Sequence, residues 1–442
     1  MQSASIVRAV ARLAAPAIAQ QLLHTGVFLA DRSMLGHHGA ASLASMQISG
    51  PLVWSTYSVL GAFSVGSVAL IGRLTGAGDR EGAAAALRGS VALALGLGLT
   101  AALVGSQLTG PLLDLFPEAG AGPRAQARAY LAIAFPAMPL ILLAYTLAMC
   151  LQAAGDTRTP FLVAAVGNVL NVAVNGALIF GLGPLPELGA QGAAIGSAAA
   201  MAWESVVLWV LLSDRRRPLS WRGQGGERAA IARMLRVASA ALGERAVQHA
   251  GFLGFVAMIG ALGATAMAAN QALVSIESIV FLSAEGFGIA AAAITAQHLG
   301  AGRPVDASVA VQASVAMTAL TLGGYGLVFL GVPEPLLRAF TDEPSIVTAA
   351  VPCLAVAAAC APFMGTAIVL SEALRGAGDT RAVLLVTFSA GFVVRLAASW
   401  LLAFGLDLGL VGVWLGSTAD WLVRAALLAG RFRRGRWRRA VV

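Results

Sequence analysis

Apolar stretches long enough to cross a bilayer, roughly 20 residues each, recur about twelve times along this chain. They fall near 13–36, 44–72, 84–108, 128–151, 159–182, 188–212, 235–259, 268–297, 307–331, 346–373, 382–405 and 409–430. Few folds survive such a pattern. In hydrocarbon every backbone group must be hydrogen-bonded within the protein, so a spanning segment is a helix or a strand of a closed barrel. Segments of this length are helices. A soluble alternative fails on composition: the chain is 58% hydrophobic and 11% charged, against roughly 25% charged for soluble domains.

A short peptide occurs twice. Leu151-Gln152-Ala153-Ala154-Gly155-Asp156-Thr157-Arg158 returns as Leu374-Arg375-Gly376-Ala377-Gly378-Asp379-Thr380-Arg381, 223 residues on. Pro139 and Pro362 share that offset; Gly76-Ala77-Gly78 and Gly300-Ala301-Gly302 share one of 224. The expected fold class is therefore all-α. It is a polytopic membrane protein with about twelve transmembrane helices in two six-helix lobes related by a pseudo-two-fold axis along the membrane normal. The expected division is an N-terminal lobe over 1–213, a cytoplasmic linker over 214–234, a C-terminal lobe over 235–430 and a basic cytoplasmic tail over 431–442. The linker carries Asp214-Arg215-Arg216-Arg217-Pro218 and Gly223-Gln224-Gly225-Gly226. Both aspartates of the repeated peptide fall at helix ends, where turn and cap roles are expected of them.

The net charge of +8 comes from 29 arginines and no lysine. They lie mostly in the termini and in alternate loops, with Arg32, Arg124, Arg128 and Arg338 on the other side. That bias predicts both termini in the cytoplasm and a multi-pass plasma (cytoplasmic) membrane protein. It reports orientation, so no nucleic-acid partner is expected. The tail, Arg431-Phe432-Arg433-Arg434-Gly435-Arg436-Trp437-Arg438-Arg439, suits anionic inner-leaflet lipid. At the start of the chain, Arg8, Arg12 and Ala17-Ile18-Ala19 imitate a signal peptide. Pro16 interrupts the short apolar run, and hydrophobicity continues beyond, so a retained first helix is expected. Cys150, Cys353 and Cys360 lie within apolar stretches and form no disulfide or metal pattern.

Polar residues inside the spans carry the chemistry. A carboxylate in hydrocarbon costs roughly 2.5–3.5 kcal/mol even on lenient scales, which singles out Asp31. Gln20, His24 and Asp31 fall within about 40° of one another around a helix. Asn168, Asn171 and Asn175 share a face of the fifth span, and Ser197 and Glu204 a face of the sixth. Amide oxygens suit a hard cation such as Na⁺, although membrane asparagines also bond helix to helix. Together these residues offer one small site a carboxylate, two amides and a hydroxyl. The second half has its own charges, Glu244, Arg245, Glu277, Glu285, Glu372, Arg395 and Asp420. Asp420 and Arg424 stand at helical spacing for an ion pair. Arg395 is expected to neutralise an acid on a facing helix, Glu277 or Asp420. Excess carboxylate, with Trp, Phe and Met, favours cationic or amphipathic substrates.

Gly376-Ala377-Gly378-Asp379 imitates the signature of intramembrane aspartyl proteases, but it lies at a helix end beside arginine, and the histidines are scattered. No enzyme and no cofactor is expected. Taken together, the two six-helix halves and the doubled Ala-Gly-Asp-Thr-Arg resemble the multidrug and toxic compound extrusion (MATE) family. Asn171 and Asn175 before Ile179-Phe180-Gly181, Gly72 to Asp79, Gln297 to Gly302, and Asp31 before Met34-Leu35-Gly36 strengthen that resemblance. It implies efflux of small organic cations in exchange for inward Na⁺ or H⁺, with Asp31, Asn171, Asn175 and Ser197 as the cation site and a possible Na⁺ at Asp31, Asn171 and Asn175. Relatives that run on protons often have Asp where this chain has Asn175, which leaves Na⁺, or H⁺ on Asp31 alone, both open.

On this reading Asp31 is the coupling switch, Pro16 is the hinge, and Gln20, His24, Asn168, Glu204, Glu244, Glu277, Arg395 and Asp420 form a second tier of the polar cleft. A flippase for a lipid-linked or amphipathic substrate is the alternative; its cleft needs cations, and Arg245 and Arg395 are the candidates. A membrane scaffold without transport is the alternative from another class. A monomer is expected.

Overall fold

A computed structural model describes residues 2–116, 120–214, 217, 219–221, 223, 225–440 and 442. All regular structure among them is helical. The chain begins with α1 (Gln2–His38), α2 (Ala40–Leu60) and α3 (Ser64–Gly76), the last two joined through a single tight turn. It continues through α4 (Arg80–Asp114), α5 (Ala121–Ala134), α6 (Met138–Ala153), α7 (Arg158–Ile179) and α8 (Ala190–Leu212). Then come α9 (Glu227–Ala261), α10 (Ala264–Gly300), α11 (Pro304–Gly331), the short α12 (Pro333–Arg338) and α13 (Pro344–Gly376). The path Thr380–Gly405 contains α14 (Thr380–Val386) and α15 (Arg395–Trp400), with π-helical turns after each, and α16 (Gly409–Arg433) follows.

Nine helical paths among the described residues are long and apolar enough to span a membrane, and the α5–α6 pair, bent by 58°, forms a tenth. Pro136 and Pro139 supply that bend, since neither ring leaves an N–H for the helix ladder. α9 and α16 have 35 and 25 residues, also membrane length, but carry more charge, including Glu244 and Arg245 on one and Asp420 and Arg424 on the other. The result is the twelve-span all-α architecture expected from hydropathy.

The repeated peptide is a helix-ending device. At Gly155 and Gly378 φ is 93° and 85°, a left-handed turn that favours glycine. The following aspartate N–H reaches back to a leucine carbonyl, Asp156 to Leu151 at 2.9 Å and Asp379 to Leu374 at 2.8 Å, which closes the helix in a Schellman motif. Beyond that turn the copies differ. Asp156 caps α7, accepting from the Thr159 backbone N at 2.9 Å and the Thr159 hydroxyl at 2.6 Å. Asp379 makes no cap, contrary to expectation. Ala382 replaces the threonine, and the Asp379 carboxylate instead takes two bonds from Arg431 at 2.7 and 3.0 Å.

The chain folds as two compact units, but not at the expected boundaries. One unit is Ala19–Leu235; the other combines Met1–Ile18 with Arg236–Val442. The lobes read from the sequence, 1–213 and 235–430, therefore differ from these units at both ends. The physical reason is helix length. The 37 residues of α1 run about 55 Å, well beyond the hydrocarbon core of about 30 Å, and the helix continues unbroken through Pro16. The first stretch of α1 packs Ile6 and Val10 against Ile294 and Ala310.

The described part of the linker belongs to the first unit. Arg88 binds Glu227 at 2.5 Å and the carbonyls of Trp221 and Gly225 at 3.1 and 2.9 Å. Trp221 packs against Trp209, with ring centres 4.0 Å apart and the rings tilted by 59°. Arg215, Arg216, Pro218 and Gln224 of the expected linker lie outside the described residues.

Small residues let the helices close up. Gly66 leaves no room for a side chain against the Met234 backbone, and Gly98 none against Pro139. In the second unit Gly376 meets the Ala292 backbone and Gly326 the Ala358 carbonyl. Such close approach is the usual source of helix association where burial from water drives nothing.

Candidate functional site

Within the first unit, three helices bring four of the expected residues together. α7 and α8 run side by side because Gly192 packs on the backbone of Leu178 and Ile179, and Gly196 packs directly on the Asn175 side chain. This places the Asn171 and Asn175 face of α7 against Ser197 of α8. α1 then delivers Asp31. The Asn175 amide donates to Asp31 Oδ1 at 2.6 Å and to Asn171 Oδ1 at 3.0 Å, and the Asn171 amide donates to the Ser197 hydroxyl at 3.2 Å. With the Asn171 amide turned over, its nitrogen donates to Asp31 Oδ1 at 3.1 Å and its oxygen accepts from Ser197 at 3.2 Å. That orientation satisfies both ends of the amide.

Asn175 is fully buried and Asn171 is 3% exposed. Asp31 and Ser197 are half-buried. The Asn175 Oδ1 atom is buried without a hydrogen-bond partner, an acceptor left open in a place where most are filled. A carboxylate, two amides and a hydroxyl thus converge from three helices. Their oxygens suit a hard monovalent cation, and the carboxylate alone suits a proton.

The remaining expected members stand elsewhere. Gln20 is buried and accepts from the Gln152 amide of α6 at 3.0 Å. His24 is exposed and shares no bond with Asp31. The single polar stripe expected along α1 is therefore three separate environments, because α6 and α7 meet different turns of one long helix and leave the His24 turn between them exposed. Asn168 and Glu204 do not join the site either. Both are 5% exposed, and each keeps one polar atom, Nδ2 and Oε1, without a partner.

In the second unit, charges replace amides. Glu244 is bound by Arg375 at 2.5 and 3.2 Å and by the Thr387 hydroxyl at 3.0 Å, and Arg375 also binds Glu372. Arg395 donates to Asp420 at 3.0 Å, and Arg424 binds the same carboxylate at 2.8 and 2.9 Å. Asp420, of the two acids expected for Arg395, is the partner; Glu277 has no ion pair among the described residues. Arg375 and Thr387 were not anticipated. The available signal was the repeated peptide itself, where arginine replaces Gln152 and demands a buried acid.

The two units share one internal register. Gly391 lies against Arg424 as Gly167 does against Glu204; Gly412 meets Leu402 and Ala403 as Gly192 meets Leu178 and Ile179; Gly416 meets Ser399 as Gly196 meets Asn175. The Glu244–Arg375 pair likewise occupies the place of Gln20–Gln152. By this register Asn171 corresponds to Arg395, Ser197 to Ser417 and Asp31 to Phe255. The Arg395 guanidinium lies 5.6 Å from the Phe255 ring. The second unit's copy of the site is thus filled by one of its own cations.

A family model for MatE matches residues 16–176 and 240–401. The chain is similar to a probable multidrug resistance protein NorM of Thermotoga maritima, 28% identical over 98% of this chain and 93% of that one. It is also similar to a probable multidrug resistance protein NorM of Pseudomonas aeruginosa, 31% identical over 94% of this chain and 87% of that one. In fold it resembles a solved outward-facing multidrug resistance MATE family transporter of the MOP superfamily. There the TM-score is 0.89 at 20% identity, covering 98% and 97% of the two chains. Two repeated helical units, an acid–amide site confined to one of them, and a match that covers both halves place this chain in the MATE family of membrane transporters.

Proposed function

We propose that this protein is a secondary active multidrug efflux antiporter, in which Na⁺ or H⁺ moving inward through Asp31 drives small organic cations outward. The observation that carries the reading is the Asp31–Asn175–Asn171–Ser197 cluster, with a buried amide oxygen left open. A cation and a proton compete for the same carboxylate, so the site alternates between loaded and unloaded forms. α1 carries that change onward. It holds Asp31 near one end, and the stretch ahead of Ile18 belongs to the other unit, with Pro16 as the weak point of its hydrogen-bond ladder. Alternating access then follows from one bundle rocking against the other.

The second unit supports antiport over lipid flipping. A flippase cleft needs several cations free for phosphate, and of its two candidates Arg395 is held by Asp420, which leaves Arg245, bonded to Gln248 at 3.4 Å, as the one without a carboxylate among the described residues. The arginine bias supports a cytoplasmic membrane location with both termini inside. At the tail, Trp437 is buried and stacked on Phe432 with ring centres 4.9 Å apart, while Arg433, Arg434, Arg436, Arg438 and Arg439 are exposed. That arrangement suits anionic lipid.

Everted vesicles loaded with a fluorescent organic cation test the proposal when given a Na⁺ jump and a pH jump separately. One of the two is expected to drive transport. Asp31→Asn should abolish the response at unchanged membrane insertion, and wild-type transport by that variant would sink the proposal.

A further inference from the structure

We propose that Glu204 is a second proton-carrying group of the first unit, distinct from the Asp31 site and served by the Asn168 amide. It deepens the antiport reading, and rests on it for the direction in which protons move.

Glu204 is the only ionisable side chain of α8, two helical turns beyond Ser197, about 10 Å along the axis. It is 5% exposed, and its Oε1 is buried without a partner. It lies in a slot made by an absent side chain: a Cβ on Gly167 would stand 3.0 Å from Oε1 and 3.2 Å from Cγ. The next residue, Asn168, is equally buried and presents an unpartnered amide nitrogen. A donor and an acceptor thus sit on facing helices without meeting.

The helices packed against α8 are chiefly α7, α6 and α5. Their ionisable side chains are Arg158 on α7, Tyr145 and Cys150 on α6, and Arg124, Arg128 and Tyr130 on α5; α2 adds Tyr57. Arg124 pairs instead with Asp114, and among the described residues no hydrogen bond reaches the Glu204 Oε1. The second unit shows what the same slot looks like when it holds a permanent charge. There Arg424, set against Gly391, is bound twice over by Asp420. Among the described residues Glu204 has no such counter-charge. An ionised carboxylate buried without a partner is far costlier than the neutral acid, so the carboxyl holds a proton here. It releases that proton to water, or to the open end of α8, when transport exposes the seam between α7 and α8. Two groups on one seam are too few to hold Na⁺, which makes this a proton station only.

Two measurements on the purified full-length protein test it. Infrared difference spectra between acid and alkaline buffer should contain the C=O stretch of a buried protonated carboxyl. That band is expected to vanish in Glu204→Gln and to survive in Asp31→Asn. In liposomes holding a pH-sensitive dye, substrate-driven proton counter-movement should fall at least about tenfold in Glu204→Gln, the kind of loss a positioned proton carrier produces, with partial rescue by Glu204→Asp. A Glu204→Gln spectrum that keeps every carboxyl band overturns the proposal, as does proton movement at the wild-type rate or its absence in the wild type. Unimpaired transport by Asp31→Asn strikes the antiport site alone, because the Glu204 band does not depend on it.

Discussion

A single missing side chain does much to shape the proposed cation site. Gly196 abuts the Asn175 amide so closely that any Cβ would collide with Oδ1. Gly196→Ala should therefore push Asn175 off Asp31 and weaken ion binding by about tenfold, the equivalent of one charge-assisted hydrogen bond. Gly176→Ala, next to Asn175 on α7 with open space around it, should leave binding unchanged. Ion-dependent thermal stabilisation of the purified protein reads both, and equal behaviour of the two variants would remove Gly196 from the site. Residue by residue, much of this was legible. Asp31, Asn171, Asn175 and Ser197 stand out because polar groups in apolar spans are costly and their helical spacing is simple to count. The fates of Gln20, His24, Asn168 and Glu204 were not legible. They depend on which neighbouring helix faces each turn, and periodicity along one helix carries no information about that.

At the level of elements, the two units use one scaffold with different electrostatics. Where α1 and α6 share an amide pair, Gln20 and Gln152, α9 and α13 share the ion pair of Glu244 and Arg375. Arg375→Gln strands Glu244 and Glu372 in the interior, so a destabilisation of about 3–5 kcal/mol is expected. The double variant Glu244→Gln, Arg375→Gln copies the first unit and should recover most of that loss. Thermal unfolding of the two variants in detergent compares them, and a double variant no more stable than the single one would refute the equivalence. A constant repeat offset hides this kinship in the sequence. It is 224 for Asn175 and Ser399 but 220 for Gly196 and Gly416. The connection into α8, after Ile179, is longer than the one into α16, after Gly405. A hairpin of different length shifts the register of everything beyond it without altering the packing.

On the scale of the whole molecule, the chain passes between units twice, after Ile18 and after Leu235. The second passage is fastened at the surface. The Arg88 guanidinium bonded to Glu227 holds that carboxyl below its ordinary range. A carboxyl so depressed contributes stability that is complete above its unfolded value and is lost as pH falls through its folded one. Acidification below about pH 4, the ordinary range for such a group, should therefore loosen the linker, and Arg88→Gln should loosen it already at neutral pH. Fluorescence of Trp221, packed against Trp209, follows the release. A signal that ignores both acid and the substitution would show that the linker is held by other means.

The crossing of α1 also constrains how the protein is made. Ile6 and Val10 rest on Ile294 and Ala310, residues that leave the ribosome long after them. The opening helix must therefore wait in the bilayer, its first stretch unmatched, until α10 and α11 have been synthesised. Neither unit can finish folding from its own half of the message. A gene divided at the apparent midpoint would yield two fragments, each lacking a piece that the other carries.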